Sequence, residues 1–173
     1  MFMRCLLPVA VLVFPLAVPA GGETRCDLTD DQTSCSRVLA CFGTEGRWFE
    51  GRAFGRGTGT VAGMVSDGVA GSGTWTSNNG QGRGEARVSC DDGMTVTVTT
   101  GYQDQHTGTA IGQGVANTGA AVTSWSGLHV AEFLRRESKT PQAVLPCGPQ
   151  DIPVSLAPPV TPLPDPARPR RTG

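Results

Sequence analysis

Ser126, His129, Asp104 and His106 are the side chains of this chain best suited to chemistry. A hydroxyl with an imidazole about one turn away and a carboxylate elsewhere has the composition of an acyl-transfer triad, with Ser126 as nucleophile, His129 as base and Asp104 as orienting acid. The frame around the serine argues against it. Thr123-Ser124-Trp125-Ser126-Gly127 lacks the G-x-S-x-G elbow that presents such a nucleophile, and a serine at that place has a simpler use as a helix cap. Asp104 and His106 fall on one face of a strand and with His129 would make three metal ligands. They lie, however, in the polar run Gly101-Tyr102-Gln103-Asp104-Gln105-His106-Thr107-Gly108, where a solvated loop is the default. Asp91-Asp92-Gly93 lacks the alternating oxygens of a calcium loop. Glu50 and Glu85 are the carboxylate pair to watch for glycoside cleavage. Gly55-Arg56-Gly57-Thr58-Gly59 has no following helix to hold a phosphate, so no nucleotide is expected. These readings leave the catalytic residues unknown, with no metal and no cofactor.

The cysteines carry a different kind of chemistry. Cys5 falls in residues 1–20, where a basic start, an apolar run over 5–18 and Val18-Pro19-Ala20 read as a signal peptide. A run of that length is short of the ~18 residues that read as a membrane span, so no transmembrane anchor is expected. The predicted address is periplasmic or secreted, where thiols oxidise. Five cysteines remain after cleavage, an odd number. Cys26, Cys35, Cys41 and Cys147 are the disulfide candidates, with Cys147 stapling the C-terminal part back to the 26–41 region and a second bridge in or near that cluster. Cys90 is then the free thiol, which leaves a disulfide-linked homodimer open. No C-x-x-C spacing marks a redox or zinc site.

Composition bounds the partners. The net charge of −1 points to no nucleic acid, and the dominance of arginine over a lone Lys139 suggests a GC-rich bacterial genome. Ten of the 13 prolines follow residue 140. The chain therefore divides into a leader at 1–20, a glycine-rich β domain at 21–148 and a proline-rich disordered tail at 149–173.

The elements that must position any site are strands. Gly51, Ala53, Gly55, Gly57 and Gly59 alternate, as do Gly108, Ala110, Gly112, Gly114 and Ala116, and residues two apart share one strand face. A glycine face needs a reason, either rings of Trp48, Trp75 or Trp125 packed on it, or a flat ligand such as a glycan left to lie there. Strands are predicted over 43–54, 57–66, 71–77, 82–90, 94–101 and 107–125. Asn78-Asn79-Gly80 and Asp91-Asp92-Gly93 read as hairpin turns, and Ser66-Asp67-Gly68 and Asn117-Thr118-Gly119 as weaker ones. Ser126 should cap a helix with Val130, Phe133 and Leu134 on one side, and a weaker helix is predicted over 30–40.

The expected fold is mainly β, an antiparallel meander or small barrel with one C-terminal helix packed on the sheet. The expected function is a non-catalytic binding or structural component of the bacterial envelope, its partner an unidentified envelope component or a glycan. The alternative is a secreted or periplasmic hydrolase acting on an envelope or environmental polymer.

Overall fold

A computed structural model describes residues 35–154. The leader at 1–20, Cys26 and the chain beyond 154 lie outside the described residues. Eight antiparallel strands run up and down in chain order and close into a barrel: β1 (Cys35–Phe42), β2 (Arg47–Arg56), β3 (Thr58–Val65), β4 (Ala70–Thr76), β5 (Glu85–Cys90), β6 (Thr95–Gln103), β7 (Ala110–Ala116) and β8 (Ala121–Gly127). Pairing of β8 with β1 completes the ring. A helix, α1 (Val130–Ser138), follows, and β9 (Val144–Leu145) pairs with β10 (Ile152–Pro153).

Three hairpins turn through the same chemistry. At Gly68, Gly93 and Gly119 φ is 89°, 86° and 86°, and each glycine N–H donates to the residue three before it. Positive φ costs a side chain and not glycine, so Ser66-Asp67-Gly68, Asp91-Asp92-Gly93 and Asn117-Thr118-Gly119 each fix a tight turn at one end of the barrel. The last of these splits the stretch expected as one strand over 107–125 into β7 and β8. Asn78-Asn79-Gly80 instead sits in a longer loop, where Asn78 Oδ1 accepts from the N–H groups of Gly80 and Gly82.

The helix expected over 30–40 is overturned across its described part, because residues 35–40 belong to β1. Its sequence, Cys35-Ser36-Arg37-Val38-Leu39-Ala40-Cys41-Phe42, lacks a clean period-2 alternation because the strand is covered on both faces. Val38, Ala40 and Phe42 face the barrel interior, while Leu39 and Cys41 pack outward against Trp125, Phe133, Leu134 and Leu145. Ser126 is likewise not a helix cap. It belongs to β8, and His129 occupies the cap position without a side-chain cap bond. The helix does pack on the sheet, through Val130, Phe133 and Leu134. Residues 152–153, within the stretch expected as disordered tail, pair with 144–145, and the Val154 N–H donates to the Ala143 carbonyl.

Along β6 the alternation is clean. Val96 and Val98 face in, and Thr95, Thr97 and Thr99 face out, with Arg87 and Glu85 beside them. On this part of the wall the polar side chains face out and the apolar ones in, the reverse of the membrane-spanning barrel pattern. No helix among the described residues is long and apolar enough to cross a membrane.

Two devices fasten the end with the tight turns. Arg47 donates to Asp67 at 3.0 Å and to Asp92 at 2.8 Å, so one guanidinium joins the β3–β4 turn to the β5–β6 turn. It also stands 5.8 Å over the Phe42 ring. On the outer wall, Cys41 of β1 and Cys147 form a disulfide across 106 residues of chain, and the Gly46 N–H donates to the Cys147 carbonyl. Cys35 is also disulfide-bonded. Among the described residues Cys90 is the free thiol, buried inside the barrel.

In the chain-entropy account, a loop of that length makes the Cys41–Cys147 bridge worth about 4–5 kcal/mol. Cys41→Ser, Cys147→Ser and the double variant should therefore lose about the same stability in urea unfolding under oxidising conditions. Additive losses would show that the two sulfurs act separately.

Candidate functional site

Eight strands enclose an interior just wide enough for side chains or one small ligand, so what fills it decides what the barrel can do. At the tight-turn end Phe42, Val65, Cys90, Met94 and Ala116 fill it. Above them lies a cavity of about 130 Å³, which reaches the opposite end of the barrel. Engineered apolar cavities of ~150 Å³ take up benzene, so the space is that of a single ring.

The cavity has two unlike walls. Along β2, β3 and β4 it is apolar, formed by Phe49, Ala53, Val61 and Trp75. The Phe49 ring lies against the inward glycines of three strands: a Cβ would meet it at 2.7 Å on Gly51, 2.6 Å on Gly63 and 3.2 Å on Gly71. Trp75 covers Gly59 in the same way, at 2.9 Å from its Nε1. The glycine face is thus the inside of the barrel, occupied by rings. Of the three tryptophans expected there, Trp75 alone takes that role; Trp48 and Trp125 pack in the outer cluster beneath α1 and β9. Trp75 Nε1–H donates to the Phe54 carbonyl at 2.9 Å, so the indole offers the cavity only its ring.

The other wall carries hydroxyls. Ser124 and Ser126 project inward from β8, Ser36 from β1 and Thr100 from β6. Gly112 of β7 pairs with Thr100 on one side and Ser124 on the other. Gly112 adds no side chain of its own, and the wall that the two hydroxyl strands share there also carries the Val98 methyl, 2.5 Å from where a Cβ on Gly112 would stand. A Cβ on Gly112 would stand 2.8 Å from Ser124 Oγ. Just past Thr100 the β6–β7 register shifts by one residue at Gly101. Uninterrupted alternation from Val96, Val98 and Thr100 would send Tyr102 into the mouth. The bulge turns it outward, 60% exposed, and keeps the entrance clear.

The residues singled out in the sequence are not brought together. Ser126 lines the cavity, whereas His129 is exposed at the start of α1, and no hydrogen bond joins them among the described residues. Asp104 organises its own loop. Its Oδ2 accepts from the Thr107 hydroxyl at 2.7 Å and the Thr107 N–H at 2.8 Å, and Arg136 of α1 reaches it at 3.5 Å. His106 is exposed in that loop. Among the described residues no three His, Cys, Asp or Glu side chains form a metal cluster. Glu50 sits on the outer wall bound to Arg37 at 2.6 Å, and the Glu85 carboxylate is held by Arg87, so these acids do not face each other across a cleft. Arg52 lies beside Glu50 with Nη2 unpartnered, and burial together with the charge of Arg37 holds its guanidinium below the ordinary arginine value. Cys90 lies under the cavity floor, where burial pushes its thiol up, away from the reactive thiolate.

Sequence reading missed the hydroxyl wall. Ser124 and Ser126 alternate with Trp125 at i and i+2, which is the available signal, but it has meaning only once β8 is known to be a strand.

No family model and no curated protein matches the sequence. Two solved structures are similar to it, the redesigned β-barrels mFAP1 and mFAP0, each bound to DFHBI. Each is 17% identical with a TM-score of 0.41 and covers 53% of this chain, and the matches span 90% and 93% of those chains.

Two carboxylates set an acid limit on the fold. Hydrogen bonds from Thr107, helped by Arg136, hold Asp104 below the usual carboxylate range, and the Met94 N–H with Arg47 does the same for Asp92. A depressed folded value means stability that is complete above the unfolded carboxyl pKa of about 4 and is lost as pH falls through the folded values. The variant carrying Asp92→Asn and Asp104→Asn should therefore be less stable than the parent near pH ~7, yet lose less on going to about pH 3. Denaturant midpoints at both pH values measure this, and an equal loss in parent and variant would remove these two groups from the account.

Proposed function

We propose that this chain is an exported, non-catalytic binding protein, a component of the bacterial envelope or of the secreted fraction, that holds a small molecule inside its barrel. The observation that carries the reading is the open cavity of about 130 Å³, apolar on one side and hydroxylated on the other. Pockets that bind small molecules have this character, a mostly apolar lining with few placed polar groups. The leader-like start and the disulfides agree with an oxidising address outside the cytoplasm. An extended glycan does not fit that volume.

A polymer hydrolase is less well supported. A serine hydrolase requires a nucleophile and base in contact, and Ser126 lies apart from both His129 and Asp104 in hydrogen bonding. A glycosidase requires two facing carboxylates, and Glu50 and Glu85 are held in separate ion pairs. Both also require an open cleft, whereas the cavity is enclosed by eight strands.

The test uses toluene as an apolar single-ring probe and follows the N–H resonances of the backbone and of the Trp75 indole by NMR. Saturable shifts should appear at Val38, Val61, Trp75 and Val98 on the cavity wall. Ala40→Leu, which adds three carbons into the space, should abolish them while leaving the unfolding temperature unchanged or raised. Shifts confined to the outer surface, or binding that survives Ala40→Leu, would sink the interior site.

A further inference from the structure

Resting on that binding reading, we propose that the cavity takes a neutral single-ring molecule carrying a hydroxyl, of the phenol or benzyl alcohol class, with the ring against Trp75 and Phe49 and the oxygen on the Ser124–Ser126 side.

Three observations lead there. The first is hydrogen-bonding capacity left over. Ser36, Thr100, Ser124 and Ser126 line the cavity, and none of these hydroxyls has a hydrogen-bond partner among the described residues. By contrast, the other polar groups of the lining are engaged. Thr76 exchanges bonds with Asn78, Trp75 Nε1–H is held by the Phe54 carbonyl, and Glu85 is held by Arg87. Each serine or threonine hydroxyl can donate once and accept twice, so this wall satisfies a ligand oxygen in either role.

The second observation is charge. Glu85, at the rim, is the one ionisable residue of the lining, and its carboxylate is turned to the outer face, where Arg87 holds it. An ionised carboxylate or ammonium entering the cavity would leave water without a counterion, which is far costlier than burying a neutral hydroxyl that finds a partner. The third is shape. Gly51, Gly59, Gly63 and Gly71 let Phe49 and Trp75 lie close to the wall, and the remaining space is about that of one aromatic ring. Aromatic faces at such a wall favour an aromatic guest.

The discriminating comparison is phenol against toluene, which are nearly the same shape. In a wholly apolar cavity phenol binds more weakly than toluene, because its hydroxyl is desolvated without a partner. Here phenol should bind at least as tightly as toluene, and benzoate and benzylammonium should not bind at comparable concentrations, all read as NMR titrations of the full chain. Ser124→Ala, and separately Ser126→Ala, should weaken phenol by roughly threefold to tenfold and leave toluene unchanged. Toluene binding more tightly than phenol would overturn the proposal and leave the binding reading intact, as would phenol affinities unmoved by both substitutions. Tighter binding of benzoate or benzylammonium would overturn the neutral class. If neither toluene nor phenol shifts a cavity resonance, the binding reading itself fails and this proposal with it.

Discussion

The contact on which the barrel depends is that of the Phe49 ring with glycine backbone on three successive strands. Phe49 points inward from β2, and its ring lies 2.6–3.2 Å from where the Cβ atoms of Gly51, Gly63 and Gly71 would be, with carbonyl oxygens of neighbouring strands closer still at Gly51 and Gly63. Glycine in a strand costs conformational entropy and forgoes side-chain packing. Here the cost is offset because a large apolar ring is buried where three side chains would otherwise collide. Trp75 repeats the arrangement nearer the mouth, over Gly59, two inward positions along β3 from Gly63. Two rings thus replace a whole set of smaller inward side chains on β2 to β4, and the barrel closes around them.

The same economy creates the cavity. On the far side, Gly112 and Gly114 of β7 bring no side chain inward, and the neighbouring strands contribute valines and serines in place of bulky groups. Packed protein interiors leave few voids larger than a water molecule, so a single-ring space at the open end of an otherwise filled barrel departs from ordinary packing. The bulge at Gly101 adds to this by turning Tyr102 away from the entrance.

A second source of stability lies outside the barrel. α1 and the segment through β9 cover the outer faces of β1 and β8, burying Leu39, Trp125, Val130, Phe133, Leu134 and Leu145 in a second core. The Cys41–Cys147 bridge locks that segment to β1, and Arg47 ties two turns together at the filled end. These two ties sit at the end away from the cavity mouth. The mouth is bordered by the longer loops 77–84 and 104–109, the latter held by Asp104, Thr107 and Thr109.

Much of this architecture was legible in the chain itself. Alternation of Thr and Val in 94–100, the glycines at every second position, the glycine-ended turns and the apolar stripe Val130, Phe133, Leu134 define a β meander followed by a helix, because periods of 2 and 3.6 are local properties of backbone geometry. Sequence could not reveal that β1 is a strand, since a strand covered on both faces loses its alternation, nor that Ser126 belongs to β8 and not to a helix start. Which face of the glycine strands turns inward, that Phe49 rather than Trp48 or Trp125 occupies it, and that Ser36, Thr100, Ser124 and Ser126 converge on one wall were decided by closure of the ring. Closure brings β8 against β1, residues some eighty positions apart, and no local pattern encodes a contact between strands that far separated.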